Sequence, residues 1–424
     1  MKIYIDDSLM CKEAVRYIFE IFLRNKKIDF LFVDDVSHAE FIISNTLTSD
    51  LQISEEFFKD VNSGVYDFKI FFKNDCAIKT KNGSVDYLCS AFYMINSIQE
   101  YSKTDPDEYN RFKYSNTYQY HFKNIEENLV QELFDKLYKS NRKLNKVSDK
   151  NSKSKLFLSH DIDTVYGALL QDGFSSLKQK RFDVIIKLFF NVVIQRPDWL
   201  NIDKIMNIES EYDFKSTFYW LVNKGKLNEL ERNSDYSIND KKIRKFINLV
   251  NERGWENGLH KSISKENFKE EIDKLGFIPE GNRYHFLKFN LPEAYRNIQE
   301  SELKLDSSLG FADVMGFRNS CGFPFHPYDF ENKMPYGFLE VPLNVMDQTF
   351  YGYEKLQPEL IANKVISFFE KNNRNCVISV LWHNNFFSNY KFHGYLDAYK
   401  DILGYFYENR YECVTQKELL KGNY

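Results

Sequence analysis

The chain has 424 residues, 43% of them hydrophobic, and a formal net charge of −4 at pH 7. That length predicts two domains with a sizeable core, and the lack of a basic excess argues against a nucleic-acid partner. The six cysteines (11, 76, 89, 321, 376 and 413) contain no C-x-x-C pair, which argues against a zinc ribbon and a disulfide framework. The start, MKIYIDDSLMCKEA, lacks the features of a signal peptide, and no apolar run reaches the roughly 18–20 residues of a bilayer span, so a cytoplasmic location is expected. Aromatic residues make up 17% of the chain, which fits the codon use of an AT-rich genome and does not by itself indicate sugar-stacking surfaces.

In chain order, residues 1–139 read as a small α/β domain. KIYI, DFLFV, EFIIS and FKIFF are strand-like, VDYLCSAFYMINSIQEY is helical, and IEENLVQELFDKLYK places Ile125, Leu129, Leu133 and Leu137 on one helical face. Residues 140–154 are rich in Lys, Ser and Asn and read as a linker. From 155 to 424 strands and helices alternate. KLFLS, STFYWLV, ENGLH, FLEVPL and CVISVLW are the strands. DKKIRKFINLVNERG, KENFKEEIDKLGF, LPEAYRNIQESE and ELIANKVISFFEKNN are helices, with Gly254 and Gly276 as stops for the first two and Pro292 just inside the third. This alternation predicts parallel strands in a βα-barrel or an open α/β sheet. The stretch 177–199, LKQKRFDVIIKLFFNVVIQRPDW, is basic at its start and apolar in its middle. It reads as an amphipathic helix that either packs on the barrel or lies on a membrane; packing is the commoner outcome for such a face.

Ionisable residues gather where the strands of the second part finish. Asp161 and Asp163 follow KLFL, His260 follows ENGL, Arg283 and His285 lie in GNRYHF, and His383 follows CVISVLW. Such groups are costly to bury unless paired, hydrogen-bonded or holding a metal, and the carboxyl ends of strands are where βα folds carry their sites. Asp163 and His260 are suitable ligands for Zn²⁺ or a similar ion.

These segments, in order, resemble the NodB-like polysaccharide deacetylases. LSHDID matches that family's first motif, GLHKSIS part of its H-x-x-x-H motif, LGFIPEGNRYHF its Arg-containing loop, LKLDSSLGF its later Asp, and ISVLWHN its closing His. GFRNSCGFPFHPYD and FLEVPL resemble a subgroup with an extra N-terminal domain from bacterial surface-polysaccharide gene clusters. The resemblance implies a distorted βα-barrel preceded by a small α/β domain, and metal-dependent removal of an N-acetyl group from a sugar or oligosaccharide, nucleotide- or lipid-linked. It implies Asp161 as the base, Asp163 and His260 as ligands of a divalent metal, His383 as the acid, Arg283 as the residue that orients the base, and Asp306 as the partner of His383. A backbone N–H near 284–286 is implied as an oxyanion donor, and Arg318, Trp382 and Asn384 as substrate contacts. The second histidine of the metal motif is replaced by Ser264, a poor substitute for imidazole on Zn²⁺. Either His285 or His160 restores the ligand set, or the barrel is a catalytically weakened carbohydrate-binding or scaffold protein. Peripheral membrane contact is left open by 177–199.

Overall fold

The computed structural model of the protein describes all residues except 47, 103, 148–150, 194–196 and 423. The first region opens with a parallel sheet of β1 (Lys2–Ile5), β2 (Leu31–Phe32) and β3 (Phe41–Ile43), in the order β2-β1-β3. Helix Lys12–Asn25 follows β1 and buries Val15, Ile18, Phe19, Phe22 and Leu23, the three-and-four spacing of one apolar face. A short antiparallel pair, β4 (Ile78–Lys79) and β5 (Val85–Asp86), precedes helix Tyr87–Ile95. The Asp86 carboxylate caps that helix by accepting from the Cys89 N–H at 2.9 Å. FKIFF is not a strand. Asp67 accepts from the Lys69 N–H and starts a helical turn, Phe68–Phe71, so a local cap overrides a β-favouring composition.

The second region is an α/β barrel. Its strands are β6 (Lys155–Ile162), β7 (Ser216–Leu221), β8 (Glu256–Lys261), β9 (Gly281–Tyr284), β10 (Leu305–Asp306), β13 (Leu339–Glu340), β14 (Leu343–Met346) and β15 (Val377–Leu381). A small antiparallel pair, β11 (Tyr328–Asp329) and β12 (Met334–Pro335), lies outside it. The eight strands pair in parallel in the order β13-β10-β9-β8-β7-β6-β15-β14. β13 and β14 are the two ends of that order, yet only residues 341 and 342 separate them. Three residue steps span at most about 11 Å, so the sheet must curl until its edges meet. One extended segment, 339–346, pairs with β10 through its first half and with β15 through its second. FLEVPL is therefore the seam that closes the barrel rather than a single strand.

The two regions share one buried apolar cluster, running from Ile3 and Phe22 through Phe134 to Phe323, Val380 and Phe406. The contact is close at Gly316. Its φ is +140°, and a Cβ there would lie 2.4 Å from the carbonyl oxygen of Ile125, so a side chain is excluded. Of the expected linker, residues 148–150 lie outside the described residues; before them Leu144 is buried in a 3₁₀ turn, Leu144–Lys146.

Of the stretch read as one helix over 177–199, residues 177–178 end the helix Ala168–Lys178 and residues 182–193 form a second, Phe182–Val193, the two making a hairpin turned at Lys180 with φ +59°; residues 194–196 lie outside the described residues. The expected packing is partial: Ala168, Val184 and Leu188 join the buried core, while much of the hairpin's remaining apolar surface is exposed. No described helix is long and apolar enough to cross a membrane.

Candidate metal centre and active site

The site lies at the carboxyl ends of β6, β8, β9 and β15. Asp161 and Asp163 are two residues apart, so the alternation of β6 puts them on one face and His160 on the other. His260 sits in β8 directly opposite Arg283 of β9, and His285 follows two residues later in the chain. His383 lies just beyond β15, past Trp382.

The hydrogen bonds fix which nitrogen of each histidine faces inward. His260 donates from Nδ1 to the carbonyl oxygen of Arg283 at 2.8 Å, and His285 donates from Nε2 to that of Arg232 at 2.9 Å. A carbonyl only accepts, so Nε2 of His260 and Nδ1 of His285 are left with lone pairs when the rings are neutral. These two atoms face each other at 3.1 Å. Asp163 Oδ1 is 3.2 Å from the first and 3.6 Å from the second, and it is a buried oxygen with no hydrogen-bond partner. Three electron-pair donors converge when both rings are neutral; only a protonated His260 could bond across to His285, and Asp163 Oδ1 keeps no hydrogen-bond partner. Ligands about 2.1 Å from a Zn²⁺ ion sit roughly 3.0–3.4 Å from one another, so the set fits a divalent ion with little movement.

Electrostatics point the same way. Burial disfavours charge on Asp163, but His285, His260 and His383 outweigh it and hold the carboxyl well below the usual range. Burial pulls His285 down to about 4 despite Asp163, so its inward nitrogen stays unprotonated. For His260 burial is overcome by Asp161 and Asp163, and its pKa is raised. A positive charge is favoured where the donors meet.

Asp161 lies beside this triad. Arg283, fully buried, donates from Nη1 to Asp161 Oδ1 at 3.0 Å and to Ser159 Oγ at 2.8 Å. Its Nε and Nη2 are held by the carbonyl oxygen and Oγ of Ser307. The guanidinium therefore fixes the Asp161 carboxylate in one orientation. On the other wall, His383 Nε2 is 3.6 Å from Asp163 Oδ2. Its Nδ1 donates to Asp347 Oδ1 at 2.7 Å, and its backbone N–H to Asp347 Oδ2 at 2.5 Å. Burial would lower the His383 pKa, but Asp347 and then Asp163 push it up to about 10.

Asp347, not Asp306, is thus the partner of His383. Asp306 accepts from Asn282 Nδ2, the Ser308 N–H and Ser308 Oγ, facing Glu340 across the β10–β13 pair; burial pushes it up to about 6. Asp347 follows the buried strand LNVM as Asp161 and Asp163 follow KLFL, and that pattern was the available signal for it.

Four further expectations are corrected. His160 is no metal ligand, because both ring nitrogens are engaged away from the site, with the Trp382 carbonyl oxygen at 2.6 Å and Glu209 Oε1 at 2.8 Å. Arg318 does not reach a substrate; it is buried in a two-pronged pair with Glu100 at 2.9 and 2.6 Å. Trp382 is fully buried against Tyr395 and Tyr399. Asn384 spends its Nδ2 on the carbonyl oxygens of Thr164 and Trp199. The Tyr284 N–H, within the stretch expected to supply an oxyanion donor, is taken by Ser308 Oγ. Ser264 lies in a separate polar cluster with Ser262, Asn223 and Glu271.

The site opens into a cleft of about 190 Å³, lined by Asp161, Asp163, His260, His285 and His383 with Tyr109, Phe286, Tyr353, Gln348 and Asn385. Tyr109 and Arg111 come from the first region. The Tyr109 ring stacks on Phe286, with centroids 5.3 Å apart. Arg111 donates to the Phe286 carbonyl oxygen at 2.8 Å and to the Tyr353 hydroxyl at 3.1 Å. Phe286 and Leu287 both have left-handed backbones, at φ +58° and +51°, which is unfavourable for such side chains. Arg111 thus braces the strained turn that presents His285. Nothing in the local sequence around Arg111 signals this role.

Comparison with known proteins gives three findings. A family of unknown function, DUF7033, matches residues 1–146. No curated protein sequence matches the chain. Solved structures similar to it include a polysaccharide deacetylase assignment from Mycobacterium smegmatis, with 11% identity, 65% of this chain and 92% of that chain covered, and a TM-score of 0.41. They also include a peptidoglycan N-acetylglucosamine deacetylase, with 14% identity, coverage of 64% and 89%, and a TM-score of 0.33. A CE4-family pseudoenzyme from Bacillus anthracis has 11% identity, coverage of 65% and 71%, and a TM-score of 0.32. At these identities and TM-scores the chemistry rests on the side chains themselves.

Proposed function

We propose that the barrel is a metal-dependent amide hydrolase that removes the acetyl group from an N-acetylated sugar, in the making or modification of a surface polysaccharide. The observation that carries this reading is the convergence of Asp163, His260 and His285: two imidazole lone pairs 3.1 Å apart beside an unpartnered carboxylate oxygen. A divalent ion such as Zn²⁺ held by these three would polarise the amide carbonyl and acidify a water.

The chain's own residues divide the remaining work. Asp161, oriented by Arg283, takes a proton from the attacking water as a bond forms between the water oxygen and the carbonyl carbon. His383, held protonated by Asp347, gives its proton to the sugar nitrogen as the carbon–nitrogen bond breaks. Acetate and a free amine leave. The cleft is below the roughly 300–1,000 Å³ of sites for larger ligands, which suits one acetamido-bearing ring. Tyr109 and Phe286 offer aromatic walls, and Gln348 and Asn385 offer amides for hydroxyl groups. His285 beside His260 removes the reason Ser264 gave for a purely carbohydrate-binding protein.

The test is metal content together with acetate release from N-acetylhexosamine oligosaccharides. One divalent ion per chain is expected, lost in His285→Ala, and Asp161→Asn should abolish acetate release while keeping the ion. A protein that takes up no ion on soaking in Zn²⁺, or that binds it and releases no acetate from such oligosaccharides, overturns the reading.

A further inference from the structure

We infer that the helical hairpin Ala168–Lys178 and Phe182–Val193 is a docking surface for an anionic lipid bilayer. The first helix is inside-out. Its buried positions are Ala168, Asp172, Gly173 and Ser176, whereas Leu170, Phe174 and Leu177 are 78%, 60% and 50% exposed. The polar inner face is built in: Asp172 accepts from Trp199 Nε1, Ser388 Oγ and the Lys391 N–H, at 2.8, 2.7 and 3.0 Å. Rotating the helix to hide its leucines would break these bonds and leave Asp172 without its partners. The second helix buries Val184 and Leu188 but leaves Phe182, Ile186, Phe189 and Phe190 between 59% and 69% exposed. Water is a poor surrounding for a contiguous face of this kind, and such faces mark interaction sites.

Charge selects the occupant. The hairpin turn reads KQKR, and Lys178, Lys180, Arg181 and Lys187 all flank the apolar face; Asp183 is the single exposed acid between 168 and 193, and it is paired with Arg181. Aromatic and aliphatic side chains edged by cations are the composition of a helix that lies in a bilayer interface, where the apolar face enters the acyl boundary and the cations meet anionic headgroups. The hairpin leaves β6 at the end that carries Asp161 and Asp163, so docking turns the cleft's end of the barrel toward the bilayer. The inference stands apart from the hydrolytic reading, because vesicle binding needs no substrate.

The experiment is co-sedimentation of the full chain with vesicles of equal parts phosphatidylglycerol and phosphatidylcholine, and with vesicles of phosphatidylcholine alone. The wild type should partition onto the anionic vesicles, more weakly onto neutral ones and more weakly at high salt. Phe174→Ser combined with Phe189→Ser and Phe190→Ser should cut partitioning at least tenfold, with an unchanged circular-dichroism spectrum. Lys178→Glu with Lys180→Glu keeps the apolar face, and should cut binding to the anionic vesicles alone. No partitioning by the wild type, or partitioning untouched by both variants, overturns the inference. So does a wild-type dimer by light scattering that the triple substitution splits into monomers, because the face then belongs to a second copy.

Discussion

The mouth of the barrel and the hairpin over 168–193 break the same folding preference in opposite directions. At the mouth, Asp161, His260, Arg283 and His285 are buried, where charge is costly. On the hairpin, Phe174, Ile186 and Phe189 are exposed, where apolar surface gains nothing. Most of the remaining apolar residues follow the ordinary rule, gathered in one large core cluster and two small ones. Each exception is locally over-determined: the mouth by carbonyl acceptors and Arg283, the hairpin by the anchored Asp172. A residue held against its preference by neighbours that are themselves satisfied points to a ligand, and the two regions differ in which ligand would relieve them, a cation or a lipid surface.

Substitutions can break this contrast. The largest effect is expected at the mouth. Asp161→Asn should lower kcat by about 10²–10⁴-fold, the range for loss of a general base, with metal content unchanged; equal loss of metal and rate would instead make Asp161 a ligand. Next comes a pair of stability measurements by urea denaturation. Trp382→Ala, in the core, should cost about 3–5 kcal/mol, whereas Phe189→Ser on the hairpin should stay within about 0.5 kcal/mol. Similar costs for the two would mean that the hairpin is packed in solution.

The His383–Asp347 pair gives a pH signature in metal-free protein. The folded pKa of about 10 lies above the ordinary value of about 6.5. A raised histidine pKa contributes stability fully below the ordinary value, and that stability is lost as pH rises through about 10. Asp347→Asn removes the main cause of the rise, leaving burial to pull His383 down. Its imidazole resonance should then titrate at lower pH, and stability should fall earlier as pH rises; a resonance that still titrates near 10 would assign the shift to another group. A smaller effect is expected from Arg111→Ala, which frees the turn that carries His285. Metal affinity should weaken about tenfold, as for loss of a supporting contact, with His260 and Asp163 still in place. The smallest effect belongs to Asp306→Asn. It should leave the His383 titration where it is, and a shift there would restore Asp306 as a partner of the acid.

The alternation of strand and helix after residue 155 was legible because hydrophobic period and turn residues are local properties. So were Asp161, Asp163, His260 and His383 as a group, since each lies at or near the end of a strand-like segment. The direction of His160 was left open by the sequence, and only its bonds to the Trp382 carbonyl oxygen and Glu209 took it off the ligand set. The roles of Arg318, Trp382 and Asn384 could not be read. Whether a residue beside a site faces it or the core depends on which neighbour lies across from it.

The sequence by itself thus determined the strand-and-helix alternation, the strand segments KLFLS, STFYWLV, ENGLH and CVISVLW with their carboxyl-end polar residues, and an apolar basic stretch at 177–199. Tertiary structure alone decided that His285 meets His260 where Ser264 has no imidazole to offer, that Asp347 rather than Asp306 holds His383, and that Arg111 of the first region braces the His285 turn. It also decided that much of the apolar stretch is exposed, while Val184 and Leu188 are buried. Each of these depends on register across the sheet, on two left-handed residues after His285 and on contacts between residues far apart in the chain, and none of those is fixed by local propensity.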